Sequence, residues 1–236
     1  GLIILSCAVP DPGGASTDVQ VRRPRMKRCI VLALLSAMFL TGCFNIYQHV
    51  SLDRNGNADV YFQMTFSKAL LEMSNQMGGE SAELDYDAWL DETTGDPFDG
   101  LRKTVPIETG KINSFSEIGI FYRASLNYAD RAVQNLTGDD SSLFIPIVRD
   151  GRMTILAGFS DDDVSGSQEN GMAAAFMGSA KYILTIDKNV MNRPSRAWAE
   201  LDGEAIELPI VDLNDQYFID IPIKLLLGRT VTISVE

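Results

Sequence analysis

Cys43 is the residue with the clearest chemistry in this chain. It closes the run Leu40-Thr41-Gly42-Cys43, and an apolar stretch from Cys29 to Leu40 precedes it. Cutting before Cys43 would free an amine beside a thiol, and both groups accept acyl chains. The other candidates are weaker. Asp161-Asp162-Asp163 clusters oxygens of the kind a hard cation binds. A calcium loop of the usual spacing needs a carboxylate at its twelfth position, which here is Met172. The expectation is therefore a solvated acidic loop with no metal site, and the same holds for Asp139-Asp140. His49 is the one histidine of the chain, so no site can use two imidazoles, and a Ser-His-Asp triad is not expected. Carboxylates are abundant, but no motif singles out a pair for acid-base work on a glycan. No Gly-x-Ser-x-Gly, Ser-x-x-Lys, His-Glu-x-x-His or phosphate loop is present.

The context of Cys43 resembles the lipobox of bacterial lipoproteins. Met26-Lys27-Arg28 supplies a start and a basic region, followed by the apolar run and the small-small-Cys ending. The apolar run is shorter than the roughly 20 residues that a spanning helix needs, and it fits a signal segment of about 7–15 residues. Residues 26–42 therefore read as a lipoprotein signal peptide cleaved between Gly42 and Cys43. Residues 1–25, with Pro10, Pro12, Gly13, Gly14 and the arginines before Met26, read as an upstream or non-native segment outside the fold. Residues 43–236 read as one extracytoplasmic domain. Each buried methylene of an acyl chain contributes about 0.8 kcal/mol, so several chains on Cys43 would hold the protein to a membrane almost permanently. The expected location is the cell membrane or the outer membrane, facing the extracytoplasmic side.

Composition narrows the function classes. The 236 residues carry a net charge of −12, and from Cys43 onward 15 basic residues face 30 acidic ones. That argues against a nucleic-acid partner. The three cysteines are Cys7, Cys29 and Cys43; after cleavage only Cys43 would remain, which excludes an internal disulfide and a cysteine metal cluster. No cofactor is implied.

The elements that must position any site follow from periodicity. Ile46–Leu52 and Ala58–Phe66 alternate at period two around Asp53-Arg54-Asn55-Gly56-Asn57, which predicts a hairpin with Gly56 at positive φ. Ser67 precedes a helical stretch from Lys68 that ends at Gly78-Gly79, and Glu83–Leu90 reads as a second, acidic helix. Strands are expected at Thr104–Glu108 and Phe115–Ser125, the latter with Ile118, Ile120 and Tyr122 on one face. A short helix is expected over Asn127–Leu136. Leu143–Val148 and Met153–Phe159 flank Asp150-Gly151 as a second hairpin. Gly171–Ala180 reads as an apolar helix. Further strands are expected at Tyr182–Ile186, Trp198–Leu201, Ala205–Leu208, Gln216–Ile221 and Thr230–Val235. Strands with interspersed helices predict an α+β fold, mostly antiparallel sheet with a few short helices.

Cys43, Ile46, Val50, Leu52, Gly56, Ala58 and Val60, followed by a helix, resemble the start of LppM-like bacterial lipoproteins. The stretch from Lys181 to Trp198 is similar in character. The resemblance implies a lipid-anchored α+β domain and no defined activity. Met172, Phe176 and Met177 form a soft apolar segment suited to an amphiphile or a partner, and with Trp198 they are the candidate ligand surface. Tyr86, Trp89 and Phe98 are further candidate aromatics, with core packing as the competing assignment. The expected function is a non-catalytic binding or interaction module of the envelope. The alternatives are a carrier of a lipid or other amphiphile and a carboxylate-dependent cell-wall glycan hydrolase. The expected partners are the membrane, through the acyl chains, and an envelope protein or amphiphilic ligand.

The anchor is directly testable. Cys43→Ser removes the sulfur that accepts a diacylglyceryl group, so metabolic labelling with a fatty acid is expected to give label on the parent and none on the variant. Equal label on both would overturn the lipobox assignment.

Overall fold

The protein is described by a computed structural model, and the described residues are 44–77, 84–93, 98, 101–102, 105–130, 133, 143–159 and 180–236. They form twelve strands in two sheets. The strands are β1 (Phe44–Leu52), β2 (Ala58–Ser67), β3 (Ile107–Asn113), β4 (Glu117–Leu126), β5 (Pro146–Arg149), β6 (Arg152–Phe159), β7 (Lys181–Asp187), β8 (Ala197–Leu201), β9 (Glu204–Leu208), β10 (Ile210–Asp212), β11 (Gln216–Pro222) and β12 (Arg229–Val235). Seven strands are ordered β10-β11-β7-β1-β2-β4-β3, and five are ordered β5-β6-β12-β8-β9. All pairings between these strands are antiparallel except that of β1 with β7.

This arrangement corrects the α+β expectation. Among the described residues there are two α-helices, α1 (Lys68–Met77) and α2 (Tyr86–Thr93), and neither forms a layer. α2 presents Trp89 edge-on to Phe66 and buries Leu90, so it caps one end of the large sheet. The core lies between the two sheets. One hydrophobic cluster combines Ile46, Val50, Phe62 and Leu184 of the first sheet with Ile155, Ala199, Ile233 and Val235 of the second. Two-residue alternation gives each strand one apolar face, and two such faces bury each other without a helical layer. The fold is therefore mostly β.

The turns follow local chemistry. Gly56 sits at φ +81°, as expected from the Asn-Gly sequence, with Leu52 paired to Ala58 across the loop. Asn55 is not at positive φ, so the connection is a longer loop rather than a two-residue turn. Asp53 organises it: its carboxylate accepts the Asn55 and Asn57 backbone N–H groups at 2.7 and 2.9 Å. These bonds, the Asn57 backbone first, hold the Asp53 carboxyl below its ordinary value. Asp150-Gly151 and Asp202-Gly203 each place both residues at positive φ, the signature of the mirror-image turn that matches strand twist.

Several element boundaries differ from expectation. The strand expected at Thr104–Glu108 runs instead from Ile107 to Asn113, because Pro106 has no N–H for the ladder. Phe115 lies in the β3–β4 turn rather than in a strand, with Ser114 Oγ accepting the Glu117 N–H at 3.0 Å. Asn127 does cap a turn, its side chain accepting the Ala129 N–H at 2.9 Å, and of 131–136 only residue 133 is described. The helix expected at Gly171–Ala180 lies outside the described residues apart from Ala180. β10 was not anticipated, since three residues carry too short a period to read.

One polar group crosses the core. Gln48 is fully buried on the inner face of β1. Its side-chain amide donates to the Phe144 carbonyl at 2.8 Å, and its carbonyl accepts the Tyr182 hydroxyl of β7. Phe144, just before β5, has φ 60° and donates its N–H to Leu156 of β6 at 2.6 Å. Its ring packs against Phe62, Phe159 and Tyr182. Gln48 thus ties the first sheet to the segment that enters the second. Burial pushes the Tyr182 hydroxyl far above its ordinary value, so it stays a neutral donor. Removing one partner orphans a buried group at about 1–3 kcal/mol each. Gln48→Leu is therefore expected to cost about 2–4 kcal/mol and Tyr182→Phe about 1–2 kcal/mol, with the double variant costing less than the sum. Chemical denaturation of the four proteins in the cycle checks this. Strict additivity would show that the pair is not coupled.

Candidate functional site

The strands that bury Gln48 on one side display a polar and aromatic face on the other. Strand parity puts Tyr47 and His49 of β1, Tyr61 and Gln63 of β2, Phe121 and Arg123 of β4, and Thr185 and Asp187 of β7 on this outer face. The register places Tyr61 opposite both His49 and Arg123, and Gln63 opposite both Tyr47 and Phe121. Three rings step across adjacent strands. Tyr47 and Tyr61 have centroids 6.2 Å apart, and Tyr61 stacks on Phe121 at 5.8 Å with 22° between the planes. The Phe121 ring lies across Gly110 of the edge strand β3, where a Cβ would come within 2.5 Å of it. Partial burial, with the nearby Tyr47 hydroxyl as a second cause, raises the Tyr61 hydroxyl above its ordinary value.

Hydrogen-bonding groups border the rings. The Tyr61 hydroxyl donates to Gln63 Oε1 at 2.9 Å. Arg123 holds Asp59 with two parallel bonds, Nε to Oδ1 at 3.1 Å and Nη2 to Oδ2 at 2.6 Å. A fork of this kind fixes both side chains more firmly than a single contact does.

His49 joins β1 to β7. Its Nδ1 lies 2.9 Å from the Thr185 hydroxyl, and its Nε2 lies 3.6 Å from Asp187 Oδ1. The types match a nucleophile, a base and an orienting acid. The Thr185 hydroxyl is enclosed rather than presented to solvent. Thr185 is only 3% exposed, and its hydroxyl is also within reach of the Tyr47 hydroxyl at 3.1 Å and the Gln48 backbone carbonyl at 3.3 Å. The hydroxyl thus has three polar neighbours, on a strand paired on both sides. The arrangement is a cross-strand network that stiffens the face.

The candidates named from the sequence fall elsewhere. Leu40, Thr41, Gly42 and Cys43, the acidic loop at Asp161–Asp163, and Met172, Phe176 and Met177 lie outside the described residues. Trp198 is described, and it is buried on the outer face of the five-stranded sheet. The guanidinium groups of Arg152 and Arg196 lie over its ring, at 4.8 and 4.9 Å from the centroid. Cation–π contacts of this kind cover part of the indole. Phe98 packs edge-on against Phe62 in the core. Tyr86 donates to Glu72 and lies under Lys68. These aromatics form no common surface. Tyr47, Tyr61 and Phe121 escaped the sequence reading because alternation shows which residues share one strand's face, but not which strands are neighbours.

No protein-family model matches the chain, and no curated protein matches it. Among solved structures, the NMR structure of the folded domain of LppM from Mycobacterium tuberculosis is similar over 82% of this chain and 88% of that one. The sequence identity is 10% and the TM-score is 0.38. That domain bears the name of the group that the opening hairpin resembles. So loose a likeness carries no argument about the site.

The network makes its own prediction. Thr185→Val keeps the volume and removes the hydroxyl shared by His49, Tyr47 and Gln48. The expected loss is about 1 kcal/mol, the scale of one net hydrogen bond, read by chemical denaturation. A variant as stable as the parent would show that the contacts are incidental.

Proposed function

We propose that the chain is a lipid-anchored bacterial envelope lipoprotein acting as a non-catalytic binding module, with the outer face of the seven-stranded sheet as its recognition surface. The observation that carries the reading is the row Tyr47, Tyr61 and Phe121 beside the Asp59–Arg123 fork, all held on strands. Tyrosine and arginine are enriched where proteins bind one another, because each offers large contact area together with directional hydrogen bonds. Side chains on a rigid sheet need little ordering on binding. The anchor half of the reading rests on the sequence from Met26 to Cys43. Among the described residues no helix is long and apolar enough to cross a membrane. An acyl anchor on Cys43 would supply attachment by another route. The carrier alternative is tied to Met172–Met177, outside the described residues.

A photo-reactive phenylalanine analogue at position 61 in living cells tests the surface, with the same group at Thr232 of β12 as the control. A discrete adduct is expected from position 61 and none from position 232. Equal adducts at both, or none at position 61, would remove this face as the recognition surface.

A further inference from the structure

The register of the large sheet sets which end of the domain faces the anchor. Phe44 opens β1, one residue after Cys43, and is already buried in the core. A single residue reaches about 3.5 Å, so acyl chains on Cys43 would hold this end of the domain against the lipid headgroups. Phe44 pairs with Phe66, Phe66 with Ile118, and Ile118 with Asn113. The β3–β4 turn therefore lies at the same end as Phe44, three strand spacings or about 14 Å across the sheet.

At the tip of that turn stands Phe115, 102% exposed. The turn beneath it is built firmly. Lys68 donates from Nζ to Asn113 Oδ1 at 2.6 Å and to the Ser114 carbonyl at 2.7 Å, and its N–H donates to the Ser116 carbonyl at 2.9 Å. Three bonds thus hold the ring away from the body of the protein. Lys181, paired with Asn45, and Lys224, just beyond Pro222, are exposed at this end; Glu117 opposite Ser67 is there too, as are Arg229, whose β6 partner Phe159 touches Phe44, and Asp202 beside Arg229. The opposite end carries the Asp53–Asn57 loop and the Leu213–Asp215 turn, with Leu213 40% exposed.

We propose that the β3–β4 turn is a second membrane contact, in which Phe115 enters the headgroup layer of the bilayer that holds the acyl chains of Cys43. This rests on the lipoprotein reading. A fully exposed aromatic on a fixed turn gains free energy when an apolar layer covers it. It is placed where an aromatic side chain partitions well, at the boundary of headgroups and acyl chains. Attachment at a single point lets a domain tilt about it, and a contact about 14 Å away stops that motion. With this end down, the rings of Tyr47, Tyr61 and Phe121 stand on a sheet rising from the membrane and stay open to a partner from the side.

The test uses the full chain, processed in a bacterial host and reconstituted into phosphatidylethanolamine–phosphatidylglycerol vesicles. Phe115→Cys and, as the control, Leu213→Cys each receive a polarity-sensitive thiol dye. Fatty-acid labelling of Cys43 is measured on the same samples. The expected result is labelled Cys43, with a blue shift at position 115 that brominated acyl chains quench and aqueous-type emission at position 213. If Cys43 carries fatty acid but the dye at position 115 emits as it does at position 213, the turn contact is wrong and the anchor stands. If Cys43 carries no fatty acid, the anchor reading fails and this proposal fails with it. A blue shift that appears without vesicles as protein concentration rises would assign the turn to a second copy of the chain and overturn the membrane contact.

Discussion

One buried polar side chain hydrogen-bonds the first sheet to the segment that enters the second. Gln48 stands on a strand whose other inward residues are Phe44, Ile46 and Val50. An amide there is costly unless every bond is made. The Phe144 carbonyl and the Tyr182 hydroxyl make those bonds. Among the described residues no buried side-chain nitrogen or oxygen lacks a partner. The bond to Phe144 also holds a non-glycine residue at positive φ, a conformation that persists where its surroundings over-determine it. Phe144 then stacks its ring between the sheets. The amide is more specific than an aliphatic would be, because it accepts one register of β1 against β7 and one position for the entering segment.

β1 transmits this constraint to the surface. Gln48 points into the core between Tyr47 and His49, which point outward, so fixing one side of the strand fixes the other. A slip of one residue would bring His49 inside and expose Gln48. The His49–Thr185 contact and the Tyr47–Tyr61–Phe121 row therefore depend on the same register that the buried amide selects. β2, paired with β1 over its whole length, carries the pattern on to β4 and to the Asp59–Arg123 fork.

On the lipoprotein reading proposed above, the same strand would also set the orientation to a membrane, because Phe44 of β1 follows Cys43 directly in the sequence. Core contact, outer face and, on that reading, anchor end all depend on one nine-residue strand.

Much of this was legible locally. The hairpin around Gly56, the Asp150-Gly151 turn, and the strands at Tyr182–Ile186, Gln216–Ile221 and Thr230–Val235 follow from alternation and turn chemistry, which are properties of neighbouring residues. The apolar run ending at Cys43 is equally local, and it remains a matter of sequence. The fold class was not legible, because short helical runs at Lys68 and Tyr86 look the same in sequence whether they form a layer or cap a sheet edge. Nor was the outer face. Tyr47, Tyr61, Phe121 and Thr185 are separated by up to 138 positions. Only strand order brings them together, and strand order is decided by which apolar faces bury one another. Trp198 shows the same: its type suggested a ligand surface, and only tertiary packing brought Arg152 and Arg196 over its ring. The sequence by itself determined most of the strands and their turns, and it carries the lipobox-like run before Cys43, since each rests on a few adjacent residues. Which surfaces meet, and which stay open, was decided by the tertiary structure, because that choice depends on the burial of whole sheet faces at once.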